Sequence, residues 1–374
     1  MLTGVASAAP SDADATIRAA GAAWLRDEAG IGLSIAIHDN GQRRFYNFGL
    51  TQLEGGRPVT QDTVYEIGSI SKTLTGQLLA RAIVEGRAQP EDEISTHLPE
   101  PYPNLANGGE PVRLVHLANS TSQLIDNIPD LSQVRYVTGE PLAVTQMRVL
   151  EQYTRPQFLA QLHAVTPRFP PGSAPALSNV GGMLLGVALE KMHGQPYAQI
   201  LAREIEKPLR MRSGVTPPAS LIARGHTATN DPLPAFSARM LLPTLTLRYG
   251  ASDLLNFAAW QMAERDASVK LAHRPTWTQP DGRRSMAYHW IVGDSPQGRL
   301  LRQTGSTFGF ASAIEIYPDA NLALVLLANK NADGAQESLR ALSAAIVTSL
   351  RPAAEGARVS PAPPSSGDAP QPAR

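Results

Sequence analysis

The chain has 374 residues, 43 % hydrophobic and 18 % charged, with 33 Lys and Arg against 33 Asp and Glu and no cysteine. That length and balance suit a soluble globular protein able to bury a substantial core, and zero net charge offers no basic excess to make nucleic acid or an anionic membrane surface the main partner. Absence of cysteine excludes disulfides, thiolate metal sites and cysteine nucleophiles; the eight His residues show no metal-ligand spacing, and no apolar run reaches the ~18 residues that span a bilayer.

Residues 1–13 are expected to be unstructured. Ala6-Ser7-Ala8 has the small-x-small form of a signal-peptidase site, but the basic and long apolar segments that should precede it are missing. The segment therefore reads either as the end of an export signal or as a flexible Ala/Ser-rich terminus. Apolar spacing is helical over 14–29. Alternation over 31–38 and 43–50, with Asp39-Asn40-Gly41 between, predicts a hairpin. In residues 70–86, Leu74, Leu78, Leu79, Ala82 and Ile83 recur at helical spacing and Gly86 is placed to end a buried helix. From about 90 to 245, Leu/Ala helical periodicity is broken by Pro. Strand character returns at 286–292, 311–316 and 322–327, a last amphipathic helix covers 335–350, and 351–374 has the Pro/Ala/Ser/Gly composition of a disordered tail. Strands at both chain ends predict an α/β (α+β) fold. One sheet domain would come from 14–89 and 246–350, beside a mostly helical domain over 90–245, and the seam between them is a natural place for a ligand cleft.

The strongest local signal is Tyr65-Glu66-Ile67-Gly68-Ser69-Ile70-Ser71-Lys72-Thr73. A three-residue step puts Lys72 on the helix face of Ser69, one turn later. A partly desolvated ammonium beside a serine hydroxyl can lose its proton near neutral pH and act as a base. Free backbone N–H groups at a helix start also suit an oxyanion. Ser-x-x-Lys alone is weak, because Ser69 could equally cap the helix with Lys72 solvated.

Context adds what the pair lacks. Glu66-Ile67-Gly68-Ser69-Ile70-Ser71-Lys72-Thr73 resembles the first motif of class C β-lactamases and their esterase and D-peptidase relatives, in the serine β-lactamase and penicillin-binding-protein family. Gly49-Leu50 with Pro58-Val59-Thr60, the stretch 112–124, Pro171-Gly172-Ser173 with Ser178-Asn179 and Gly186, residues 207–211 and 251–254, Gln303-Thr304-Gly305-Ser306-Thr307, and 326–331 resemble further landmarks in the family's order. The resemblance implies a serine β-lactamase-like fold and acyl transfer without metal or cofactor. It implies Ser69 as nucleophile, Lys72 as its base, and the N–H groups of Ser69 and Ser306 as the oxyanion hole. Thr304 and Gly305 would line the substrate. Asn179 would bind Lys72 and the substrate amide, and Asn127 would fall where class C enzymes keep a Gln. The expected partner is a small-molecule amide or ester of β-lactam type, on a monomer exported to the periplasm or beyond.

Two positions depart from that pattern. The second motif is normally Tyr-x-Asn, and the Tyr position is Leu177. Leucine handles no proton, and loss of such a relay is expected to slow turnover by ~10²–10⁴. Ser178 could be a substitute, although it adjoins Asn179 directly. Gln303 stands where lactam-binding relatives carry Lys, so it can donate a hydrogen bond to a substrate carboxylate but brings no charge. Arg302 should face the other side of the strand. Three readings stay open: β-lactam hydrolysis, an esterase or D-amino-acid peptidase on the same machinery, and a catalytically impaired binding protein.

Overall fold

A computed structural model describes residues 12–28 and 30–351. The expectation of an unstructured start over 1–13 lies outside these residues except at Asp12 and Ala13, and that of a disordered tail over 351–374 except at Arg351. Asp12 and Ala13 open the first helix, α1 (Asp12–Asp27), whose first turn carries Asp12 and Asp14 beside its free N–H groups. Then come β1 (Gly32–Asp39) and β2 (Gln42–Gly49), the expected hairpin. Asn40 and Gly41 have φ of 49° and 87°, the left-handed pair that a two-residue turn needs to follow the strands' twist.

The short strand β3 (Val64–Glu66) leads into helix α2 (Ser71–Val84), and β4 (Ala106–Asn107) and β5 (Glu110–Pro111) form a small ribbon. Helices α3 (Leu114–Ala118), α4 (Leu142–Gln152), α5 (Arg155–Leu162), α6 (Asn179–His193) and α7 (Tyr197–Leu201) make up the regular part of the middle segment, separated by long irregular stretches. The chain returns through β6 (Arg248–Gly250), α8 (Ala251–Ala263) and α9 (Ala267–Ala272). It then enters β7 (Trp277–Thr278), β8 (Ser285–Met286), β9 (Ile291–Ser295), β10 (Gly298–Ser306), β11 (Ala311–Tyr317) and β12 (Leu322–Ala328), and closes with α10 (Ala335–Leu350). The strand expected over 286–292 is two strands: residues 287–290 leave the ladder, and His289 takes a φ of 60° there.

Eight strands form one antiparallel sheet in the order β2-β1-β12-β11-β10-β9-β8-β7. β1 pairs with β12 from Leu33↔Ala328 to Asp39↔Leu322, so the first and last strands of the described chain lie side by side in the sheet. β1, β11 and β12 are buried on both faces, and the continuous apolar run of β12 fits that burial. One face packs Leu33, Ile35, Ile37, Leu324 and Leu326 against Ile17 of α1 and Leu339 and Ile346 of α10. The other packs Ala36, Val325 and Leu327 into the larger core with Leu254, Leu255 and Ala258 of α8 and the apolar side of α2. Helix α2 thus runs through the interior between the sheet and the middle segment, with its N-terminus at the end of β10.

Candidate active site

The nucleophile candidate sits where three elements converge. Glu66 of β3 pairs with Arg248 of β6, Ile67 N–H donates to Leu247 O at 3.0 Å, and residues 68–70 make one tight helical turn before α2 begins at Ser71. Ser69 therefore lies in the turn leading into the helix. Lys72 follows in the first turn of α2, and its Nζ donates to Ser69 Oγ at 3.1 Å. Lys72 is only 4 % exposed. Burial pulls its pKa down to about 8, with the Asp126 carboxylate acting in the opposite direction. Both groups border a cleft of about 320 Å³ that is also lined by Leu177, Arg284, Gln303, Thr304 and Ser306.

Asn179 opens α6 and ties the middle segment to this pair. Its Oδ1 accepts from Lys72 Nζ at 2.8 Å and from Thr244 Oγ1 at 2.9 Å, and its Nδ2 donates to Asn127 Oδ1 at 3.0 Å. Asn127 in turn donates to Asp126 Oδ2 at 2.8 Å. Asn127 and Asn179 stand behind Lys72 and do not line the cleft. Ser178 is the N-cap of α6: its Oγ accepts from Gly181 N–H and donates to Ile125 O, both at 2.9 Å. That engagement accounts for Ser178 without a role in proton transfer. Leu177 is 68 % exposed at the cleft edge.

The end of β10 comes against the serine turn so closely that glycine is required on both sides. A Cβ on Gly305 would lie 2.0 Å from Ile67 O and 2.9 Å from Ser69 N, and one on Gly68, whose φ is 55°, would lie 2.4 Å from Ser306 N. These contacts bring the backbone amides of Ser69 and Ser306 onto neighbouring stretches of chain. Thr304 Oγ1 donates to Gln336 Oε1 at 3.3 Å.

Gln303 lines the cleft, with one of its two amide N–H donors already engaged. Its Nε2 donates to His289 O at 2.7 Å, and its Oε1 accepts from Thr304 N at 3.0 Å. Arg302 does not line the cleft. The cation that does, besides Lys72, is Arg284, an exposed residue just before β8 that no motif marked. Sequence reasoning also missed Asp126, Thr244 and His289. His289 is fully buried, and burial with the nearby Lys72 charge pulls its pKa down to about 3, so it adds no charge beside the lysine. No group of His, Asp or Glu able to hold a metal ion occurs among the described residues.

Residues 13–348 match the family model described as Beta-lactamase. Among curated proteins, a "Beta-lactamase" of Pseudomonas fluorescens is 24 % identical over 345 residues, covering 82 % of this chain and 90 % of that protein. A "D-alanyl-D-alanine-carboxypeptidase/endopeptidase AmpH" of Escherichia coli K12 is also 24 % identical, over 321 residues and 80 % of each chain. Among solved structures, a "Beta-Lactamase/D-Alanine Carboxypeptidase" from Pseudomonas syringae shares the fold with a TM-score of 0.75 at 21 % identity, covering 90 % of this chain and 99 % of its own.

Proposed function

Since the chain belongs to the β-lactamase family and is thereby a serine hydrolase, we propose that it opens β-lactams or closely related cyclic amides through an acyl-enzyme on Ser69. The observation that carries this reading is the 3.1 Å contact between Lys72 Nζ and Ser69 Oγ, made by a lysine whose burial brings its pKa to about 8. About a tenth of such a lysine is the neutral amine at pH 7. That amine takes the Ser69 proton as Oγ attacks the carbonyl carbon, and the N–H groups of Ser69 and Ser306 receive the oxyanion. Collapse breaks the carbon–nitrogen bond. The proton on Lys72 is the one available to the leaving nitrogen, because Leu177 has none to give. Water then releases the acyl group. Asn179, supported by Asn127, holds Lys72 in place. Thr304 and Gly305 form the edge along which substrate lies, and Gln303 shapes that edge through its bonds to the backbone.

A second reading is favoured by position 303: with no lysine there and the Gln303 amide committed to His289 O, an esterase or D-amino-acid peptidase fits the same machinery. Action as a monomer in the periplasm or outside the cell belongs to the proposal, and the Ala6-Ser7-Ala8 sequence supports that location.

The test is mass spectrometry of wild type and Ser69→Ala after exposure to nitrocefin, a fluorescent penicillin and a fluorophosphonate. An adduct on the wild type alone is expected, with colour change from nitrocefin. Equal labelling of both proteins would reject Ser69 as nucleophile. Adducts from nitrophenyl esters or D-Ala peptides with no turnover of nitrocefin would favour the second reading.

A further inference from the structure

A second cavity, of about 630 Å³, lies away from the Ser69 cleft, between α6, α7 and the segment 237–248, and it shares no lining residue with that cleft. Its volume falls in the range of roughly 300–1,000 Å³ that small-molecule sites occupy. Met183, Val187, Val215, Met240 and Leu242 make it largely apolar. Three arginines and one glutamate also face it. Arg155 is paired with Glu190, which leaves the charges of Arg239 and Arg248 without a carboxylate in the lining.

Arg248 is the unusual member. It is 9 % exposed, its Nε is buried with no hydrogen-bond partner, and its guanidinium forms no side-chain hydrogen bond among the described residues. The carboxyl that acts on it is Glu66, across the β3–β6 pair, and burial pushes Glu66 up to about 7, so it is only partly ionised at neutral pH. A guanidinium this buried is costly unless an anion neutralises it, and its Nη donors, not the enclosed Nε, are the ones a ligand in the cavity can reach.

We propose that this cavity binds an amphiphile carrying a single carboxylate, with its head on Arg248 and Arg239 and its apolar body against Met183, Val187 and Met240. The planar fork of Arg248 matches a carboxylate. A monoanion suits the site better than a dianion, because the Glu190 carboxylate also faces the cavity.

Calorimetric titration of the full chain with dodecanoate tests this, with dodecanol, acetate and dodecyl phosphate as comparison arms. Saturable one-to-one binding of dodecanoate is expected, with dodecanol and acetate each much weaker. Arg248→Gln should weaken dodecanoate about tenfold or more, the scale of a lost charge-assisted hydrogen bond, and Arg248→Lys should restore part of it. Arg239→Gln, at an exposed position, and Met240→Trp, which fills the cavity, should each weaken binding in chains that fold normally. Dodecanoate affinity unchanged by all of these variants would overturn the site. Equal binding of dodecanol would overturn the role of charge, and tighter binding of dodecyl phosphate the choice of carboxylate. All of these readouts are independent of chemistry at Ser69.

Discussion

Thr244 Oγ1 and Lys72 Nζ donate to the same atom, Asn179 Oδ1, at 2.9 and 2.8 Å. The threonine comes from the irregular segment before β6, the lysine from α2, so the amide oxygen joins two parts of the chain 172 residues apart (244 minus 72). Because Oδ1 divides its acceptor capacity, it favours the charged form of Lys72 less than an undivided partner would. Thr244→Val should therefore raise the Lys72 pKa and move the acid limb of the pH–rate profile for Ser69 labelling upward, at a stability cost of about 1 kcal/mol. A profile that stays in place would show that Thr244 serves packing alone.

The pH dependence follows from Lys72 itself. With the neutral amine as base and a pKa of about 8, labelling of Ser69 by a fluorophosphonate should rise about tenfold per pH unit below 8 and level off above it. Stability has the matching sign. The folded pKa lies below the ordinary 10.5, so between pH 8 and 10.5 the unfolded chain holds the extra proton and stability rises with pH through that window. Below 8 the full cost of burying the ammonium is present. Lys72→Met should abolish labelling yet raise stability at pH 7 by on the order of 1–2 kcal/mol, because it removes a buried ammonium at the loss of its hydrogen bonds. Urea unfolding midpoints decide it. A variant less stable than wild type would mean the ammonium gains more from Asn179 and Ser69 than it loses by burial.

Arg284 carries the positive charge that Gln303 does not. It borders the cleft and is exposed, so its attraction for a substrate carboxylate is screened and modest. Arg284→Gln should lower kcat/KM for a penicillin about fivefold, which is about 1 kcal/mol, and leave a neutral nitrophenyl ester unaffected. High salt should erase the difference. Equal losses on both substrates would show that Arg284 acts on the shape of the cleft and not through its charge.

Much of this site was legible because it is local or carried by ordered motifs. Ser69 and Lys72 are three residues apart, and a helix brings them together whatever surrounds it. The hairpin was legible because Asn40-Gly41 has a single well-suited geometry. What stayed hidden was tertiary. Nothing at Thr244 or Asp126 signals that their side chains meet Asn179 or act on Lys72, and Arg284 lies on a short excursion between edge strands with no periodicity to mark it. Gln303 is marked by its place in the third motif, but its bond to His289 O is not, because residues 287–290 leave the sheet inside the apolar run at 286–292. Ser178 could be read as a replacement for the missing tyrosine until the start of α6 fixed it as a cap.

Leu177 offers the most direct test of how complete the machinery is. It lines the cleft with Ser69 and Lys72, is 68 % exposed, and on the family resemblance would stand at the tyrosine position of the second motif. An exposed leucine contributes little packing, so Leu177→Tyr should leave stability within about 0.5 kcal/mol. A phenol at this position would enter the cleft that Lys72 borders, where on the proposed mechanism it could pass a proton to the leaving nitrogen. Turnover of nitrocefin should rise, by up to about 10²-fold if proton delivery limits the rate. Ser69 labelling by a fluorophosphonate, whose leaving group needs no proton, should change little. That contrast separates a restored proton relay from a general opening of the cleft, which would speed both reactions. If neither changes, the lysine already supplies both proton transfers unaided, and the leucine is an accommodation to substrate shape.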